Sequence, residues 1–167
     1  QVNTAQAEKM IALVLEGLEV NKHSVVADLY CGAGTFTLPL AKRCDFVYAV
    51  ESAASSVRDL RRNIEATNLT NVEVIGGDSA RELPSLGELD ALVVDPPRAG
   101  LAKGVTQSIA STGAKRVAYV SCDPATWARD IARFKTAGYT LTQATPVDLF
   151  PQTYHVETVS ILQRISG

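Results

Sequence analysis

Residues 139–165 read YTLTQATPVDLFPQTYHVETVSILQRI. Two strand patterns, 139–149 and 156–165, follow one another here with no helix between them. They can pair antiparallel across the Phe150-to-His155 connection. Upstream, short apolar runs alternate with amphipathic helical patterns, the signature of a parallel α/β sheet. Strands are expected at 24–30, 46–50, 72–75, 90–94 and 116–120. Helices are expected at 2–18, from a glycine turn to about Lys42, and at 53–67, 105–111 and 124–137. Gly138 closes the last helix in the position that favours a left-handed residue.

Five strands joined by helices and then a hairpin make seven. A six-stranded dinucleotide fold differs, because its helices continue to the end. The expected fold is therefore α/β, a Rossmann-like S-adenosylmethionine (SAM) methyltransferase fold. Its seven-stranded sheet is mostly parallel and carries a C-terminal antiparallel hairpin.

The 167 residues are 46% hydrophobic and 20% charged, which suits one ordinary globular domain. A chain this long buries roughly 70% of its unfolded surface and needs no disulfides for its core. Sixteen basic residues oppose 18 acidic ones, a formal net charge of −2. That argues against gripping nucleic acid by bulk charge alone. The three cysteines, Cys31, Cys44 and Cys122, show neither disulfide nor metal-ligand spacing, so no metal is expected. Cys44 reads as a small buried hydrophobe. No stretch reads as a membrane span or a signal peptide, and a cytoplasmic, monomeric protein is expected. The sequence opens at Gln1 without a methionine, so 1–167 is expected to be a piece of a longer protein.

Ligands of open α/β sheets bind beyond the carboxyl ends of the strands. The first strand ends in Asp28-Leu29-Tyr30-Cys31-Gly32-Ala33-Gly34, where glycines allow a tight turn and a close ligand. Thr37 stands where a dinucleotide fingerprint has its third glycine, and no phosphate loop follows. Asp28 could accept from a ligand ammonium or from the N–H groups of the glycine loop, or simply cap the turn. Glu51, ending the second strand, can hold the two hydroxyls of a ribose with its two oxygens, or serve as a first-turn helix acid. Asp78, after Gly76-Gly77, can reach an adenine amine or cap the next helix.

The fourth strand ends in Asp95-Pro96-Pro97-Arg98-Ala99-Gly100, and paired prolines cannot continue a central strand. The fifth ends in Ser121-Cys122-Asp123-Pro124. Asp123 and Pro124 start a helix well, so Cys122 lies just before a helix N-terminus, where the dipole favours a thiolate. Trp127 reads as packing.

These motifs resemble the catalytic domain of the RNA 5-methyluridine methyltransferases. The resemblance covers nearly the whole chain, from Gln1-Val2-Asn3 through the glycine turn and Asp95–Gly100. Its most specific segments are Tyr119-Val120-Ser121-Cys122-Asp123-Pro124-Ala125-Thr126 and Asp148-Leu149-Phe150-Pro151-Gln152-Thr153-Tyr154-His155-Val156-Glu157. The resemblance implies SAM as cofactor and a uridine of tRNA or rRNA as substrate. It implies that Gln1, Tyr30, Thr35, Glu51, Asp78 and Asp95 line the cofactor site, beside Asp28, Gly32 and Gly34. It implies Cys122 as nucleophile and Glu157 as the base for the C5 proton. Relatives often carry Asn where this chain has Thr35 and Asp123. A carboxylate at Asp123 disfavours a neighbouring thiolate unless capping turns it away.

Uracil C5 is a weak nucleophile, and a thiolate adding to C6 makes it a strong one. The target base must leave its stack to reach such a pocket. Arg98 and the Phe150–His155 loop are candidates for touching RNA. Most RNA affinity is expected from segments outside this chain. Two other readings stay open on the residues alone. One is a methyltransferase for another substrate that uses Asp95-Pro96-Pro97 and has no need of Cys122. The other is a non-catalytic RNA-binding domain with a vestigial cofactor pocket.

Overall fold

The computed structural model describes residues 3–149 and 156–166. Its elements run α1 (Thr4–Leu18), β1 (Val25–Leu29), α2 (Thr37–Ala41), β2 (Phe46–Glu51), α3 (Ala54–Thr67) and β3 (Val72–Gly76). Then come α4 (Ser79–Glu82), a 3-10 turn (Leu83–Leu86), β4 (Ala91–Val94), α5 (Val105–Ser111), β5 (Arg116–Ser121), α6 (Pro124–Thr136), β6 (Tyr139–Val147) and β7 (Glu157–Arg164).

The seven strands form one sheet in the order β3-β2-β1-β4-β5-β7-β6. β1 to β5 pair parallel, and β7 runs antiparallel between β5 and β6. The expected hairpin therefore forms, and its second strand is the one that docks on the parallel core. The order reverses between β1 and β4, the place where such sheets open a crevice for ligands.

Successive strand residues face opposite sides of the sheet. Val26, Val93 and Ala118 pack beneath α1 and α2, while Ala27, Val94 and Tyr119 pack against Leu83, Ile109 and Phe134 on the other face. Both faces are covered, which is why β4 reads as an unbroken apolar run and β1 is broken only by Asp28. Gly17 lets α1 lie directly on β7: a Cβ there would stand 2.2 Å from Ile161 Cδ1.

Two differences from the sequence expectations concern the site. The helix after the glycine turn shrinks to the five residues of α2, because the tight turns around Gly32 and Gly34 use up the chain before it. A short helix, α4, and the 3-10 turn fill residues 79–86, where no element is expected. Among the described residues no helix is long and apolar enough to cross a membrane.

Candidate active site

The glycine turn is built by backbone that only certain residues tolerate. Tyr30 and Gly32 both take φ +57, and Gly34 takes φ +103. A Cβ on Gly34 would stand 2.6 Å from Leu60 Cδ1, whereas one on Gly32 would meet nothing within 4 Å. Gly34 is thus a packing glycine, and Gly32 opens onto free space at the sheet's carboxyl edge. Thr35 lies exposed between the turn and α2.

Asp28 is fully buried on β1. Its Oδ2 accepts from the Thr37 hydroxyl at 2.6 Å, while Oδ1 is buried with no hydrogen-bond partner. The glycine-loop N–H groups do not serve it as the sequence reading allowed; Gly32 N–H goes to Glu51 instead. Burial pushes the Asp28 carboxyl up to about 7, against the Thr37 bond that lowers it, with Asp95 and Glu51 adding repulsion. Thr37, at the position of the missing glycine, is therefore the partner of the site's most buried acid.

Glu51 uses both oxygens locally. Oε1 accepts from Gly32 N–H at 2.9 Å and Oε2 from Ala53 N–H at 2.8 Å. This ties the glycine turn to β2 and tips the entry of α3, and each oxygen keeps a further lone pair for a ligand hydroxyl. Asp78 caps α4, its Oδ2 accepting from Arg81 N–H at 3.1 Å. The capping alternative is thus the one the fold uses, with the carboxylate exposed at the sheet's edge. Behind it, buried Ser79 accepts from Tyr30 N–H at 3.0 Å and so steadies the left-handed residue that begins the turn.

At β4, β5 and β7 the chemistry changes. Asp95 N–H donates to Leu29 O at 3.3 Å, which sets Asp95 beside the end of β1. Burial, followed by the charge of Glu157, raises its carboxyl to about 7. Ser121 pairs with Thr158 across β5 and β7, so the next residues along, Cys122 and Glu157, meet at the strand ends. Both are partly exposed. The Cys122 thiol is raised, first by burial and then by Glu157, with Asp95 a smaller contributor; Arg98 opposes them. The dipole argument alone expected a thiolate-favouring site. Burial and two carboxylates act in the opposite direction.

Asp123 turns away from the thiol, its Oδ1 capping α6 through Ala125 N–H at 3.0 Å. Trp127 packs as expected and also donates from Nε1 to Ser160 Oγ at 2.7 Å, tying α6 to β7. Cys31 and Cys44 are buried, and burial raises both thiols. Gln1, Phe150 and the 151–155 segment with His155 lie outside the described residues. No group of three or more metal-ligating side chains occurs among the described residues.

Sequence reasoning passed over Asp130. It is fully buried and bonds Tyr119 and Leu101. The available signal was its place on the apolar side of an amphipathic helix, between Trp127 and Phe134.

The model of the tRNA (uracil-5-)-methyltransferase family matches residues 1–86 and 83–165. The chain belongs to that family. Its relatives include RNA methyltransferases, themselves uncharacterized, of Gloeobacter violaceus and Caldanaerobacter subterraneus. The first is 43% identical over 98% of this chain and 36% of its own length. The second is 39% identical over 99% of this chain and 37% of its own length. The chain thus spans little more than a third of the length of these relatives. Among solved structures, the Pyrococcus abyssi tRNA (uracil-54, C5)-methyltransferase in complex with S-adenosyl-L-homocysteine superposes with a TM-score of 0.82. It is 36% identical, covering 96% of this chain and 38% of that one. A precorrin-6y C5,15-methyltransferase from Geobacter metallireducens reaches 0.81 at 13% identity, a likeness of fold alone.

Proposed function

We propose that this chain is the catalytic domain of a SAM-dependent methyltransferase that acts on C5 of a uridine in tRNA or rRNA. The observation that carries this reading is the meeting of Cys122 and Glu157 at the ends of β5 and β7, beside Asp95 and Arg98. Family membership and the homocysteine-bound relative support it.

The residues present fit the cofactor. The free space over Gly32, the partnerless Oδ1 of Asp28 and the raised carboxyl of Asp95 suit the positively charged groups of the cofactor, its ammonium and sulfonium. Glu51 has lone pairs suited to ribose hydroxyls, and the exposed carboxylate of Asp78 suits an adenine amine. Tyr30, Gly34 and Thr35 complete the turn around them, and Gln1 is assigned to the same site from the resemblance. When bound, SAM supplies an electrophilic methyl carbon on a sulfonium.

The chain's own groups do the rest. Cys122 gives its proton to solvent, and the thiolate sulfur forms a bond to uracil C6. The ring's C5–C6 π pair shifts towards C5 and C4=O, making C5 a nucleophile. Once C5 carries the methyl group, Glu157 takes the C5 proton. The C5–H electron pair restores the C5–C6 double bond, and the sulfur leaves as thiolate. A cation entering beside Asp95 offsets one of the charges that raise the Cys122 thiol.

The net charge of −2 supports a further part of the reading: the main RNA grip belongs to regions outside the span this chain shares with its relatives. A cytoplasmic monomer suits this arrangement.

The test is methyl transfer to uridine-containing RNA by the protein and its Cys122→Ala variant. Removal of the nucleophile should cost at least about a thousandfold in rate and leave SAM binding, read by calorimetry, within a factor of about two. Full methyl transfer by Cys122→Ala would instead favour a reaction that uses Asp95-Pro96-Pro97 without a thiol.

A further inference from the structure

We propose that Asp130 is a positioning residue. It clamps the turn after β4 onto α6, so that Arg98 and Cys122 are carried as one rigid unit. The inference rests on the reading of Cys122 as the reacting thiol.

Asp130 is 0% exposed. A buried carboxylate is costly unless its oxygens are bonded and its charge is paired. Its Oδ2 accepts from Leu101 N–H at 2.9 Å and from the Tyr119 hydroxyl at 2.5 Å. Its Oδ1 faces the guanidinium groups of Arg129 at 3.2 Å and Arg133 at 3.5 Å. These two arginines then reach past it to the turn. Arg129 Nη2 donates to Ala99 O at 2.8 Å and to Leu101 O at 3.2 Å, and Arg133 Nη1 donates to Leu101 O at 3.1 Å. Thr126 adds a bond from its hydroxyl to Arg98 O at 3.1 Å.

Thr126, Arg129, Asp130 and Arg133 are spaced three, four and seven residues apart and share one face of α6. That face grips the backbone of residues 98–101 at three carbonyls and one N–H. The grip is as close as the chain permits. Gly100 sits at φ +78, and a Cβ there would stand 2.5 Å from both Arg129 Nη2 and Asp130 Oδ2.

The clamped turn and the clamping helix each carry one member of the reactive end. Arg98 opens the turn, and Cys122 directly precedes Asp123, the N-cap of α6. Arg98 is the side chain whose charge favours the thiolate of Cys122 against Glu157 and Asp95. At a partly exposed site such an effect decays steeply with separation. A fixed distance between turn and helix is therefore what keeps Arg98 effective, and Asp130 sets that distance without touching the thiol.

The experiment is the pH profile of Cys122 alkylation, read by mass spectrometry of the Cys122 peptide, in the folded full chain. Asp130→Asn, Gly100→Ala and Arg98→Gln should each raise the apparent thiol pKa, lowering the alkylation rate at pH 7 by about three- to tenfold. The double variant Asp130→Asn/Arg98→Gln should fall no further than Arg98→Gln alone. Ile109→Val, which loosens the neighbouring core without touching the turn, should keep the wild-type profile. Gly100→Ala carries the test if Asp130→Asn does not fold. A wild-type profile in Gly100→Ala or in folded Asp130→Asn overturns the proposal, as do additive effects in the double variant. This readout needs no RNA, so failure of the clamp is distinguishable from failure of the covalent reaction, which appears as absence of an RNA adduct on the wild-type protein.

Discussion

The loops after β1, β2 and β3 satisfy their polar groups among themselves, whereas the ends of β4, β5 and β7 hold like charges against one another. In the first region Glu51 takes two backbone N–H groups, Asp78 caps α4, and Ser79 steadies Tyr30. In the second, Asp95 and Cys122 are both pushed up by burial and by Glu157. A surface that only has to bind can be finished before its ligand arrives. A surface that has to react keeps groups out of balance, so that a cation and a substrate change their protonation. Asp28 stands at the border, with one oxygen bonded to Thr37 and the other left without a partner.

The contrast breaks most visibly at Glu157. Glu157→Gln removes the base and one repulsive charge together. Turnover should fall by about a hundredfold or more, and methylated RNA should accumulate bound to Cys122 on denaturing gels. At the same time the thiol should titrate lower than in the wild type, since a carboxylate that raises it has gone. Undiminished turnover would remove Glu157 from its assigned role.

Asp28 sharpens the contrast through pH. Its folded-state carboxyl lies near 7, above the ordinary value of 3.8, so the folded chain binds this proton more tightly than the unfolded one. The stability it contributes is complete below about pH 4 and is lost as pH rises through about 7, on the order of 1–4 kcal/mol. Asp28→Asn should reduce the pH dependence of the urea-unfolding free energy across that window, leaving the comparable slope due to Asp95. An unchanged slope would show that the burial of Asp28 does not control its proton.

A smaller effect tests the preformed half. Gly34→Ala forces a side chain into a left-handed backbone 2.6 Å from Leu60 and should cost about 1–3 kcal/mol in stability. Cys122 alkylation should be unchanged, because the glycine turn and the thiol belong to different halves.

The fold was legible in the sequence wherever burial produces a pattern. β4 is an apolar run, and β1 and β5 are largely so, because both faces are covered, and α6 announces itself through Asp123, Pro124 and Gly138. The hairpin was legible as two strands in succession. Its order in the sheet was not, since either strand could have met β5 by its apolar pattern. α4 and the 3-10 turn were hidden because four-residue segments carry no periodicity. At the site, the residues ending each strand could be named from position. Their partners could not, because Thr37–Asp28, Gly32–Glu51 and Asp130–Leu101 are contacts between segments 9, 19 and 29 residues apart. The surroundings of the Cys122 thiol were legible only in part for the same reason: the helix dipole is visible in sequence, whereas burial and a carboxylate from β7 are not.

The most direct measurement incubates the protein and SAM with RNA that carries 5-fluorouridine at the methylated position. Fluorine cannot leave C5 as a proton does, so the account predicts a stable protein–RNA adduct, mapped by mass spectrometry to Cys122 and missing in Cys122→Ala. Active protein that forms no adduct, or an adduct mapped to another residue, would contradict it.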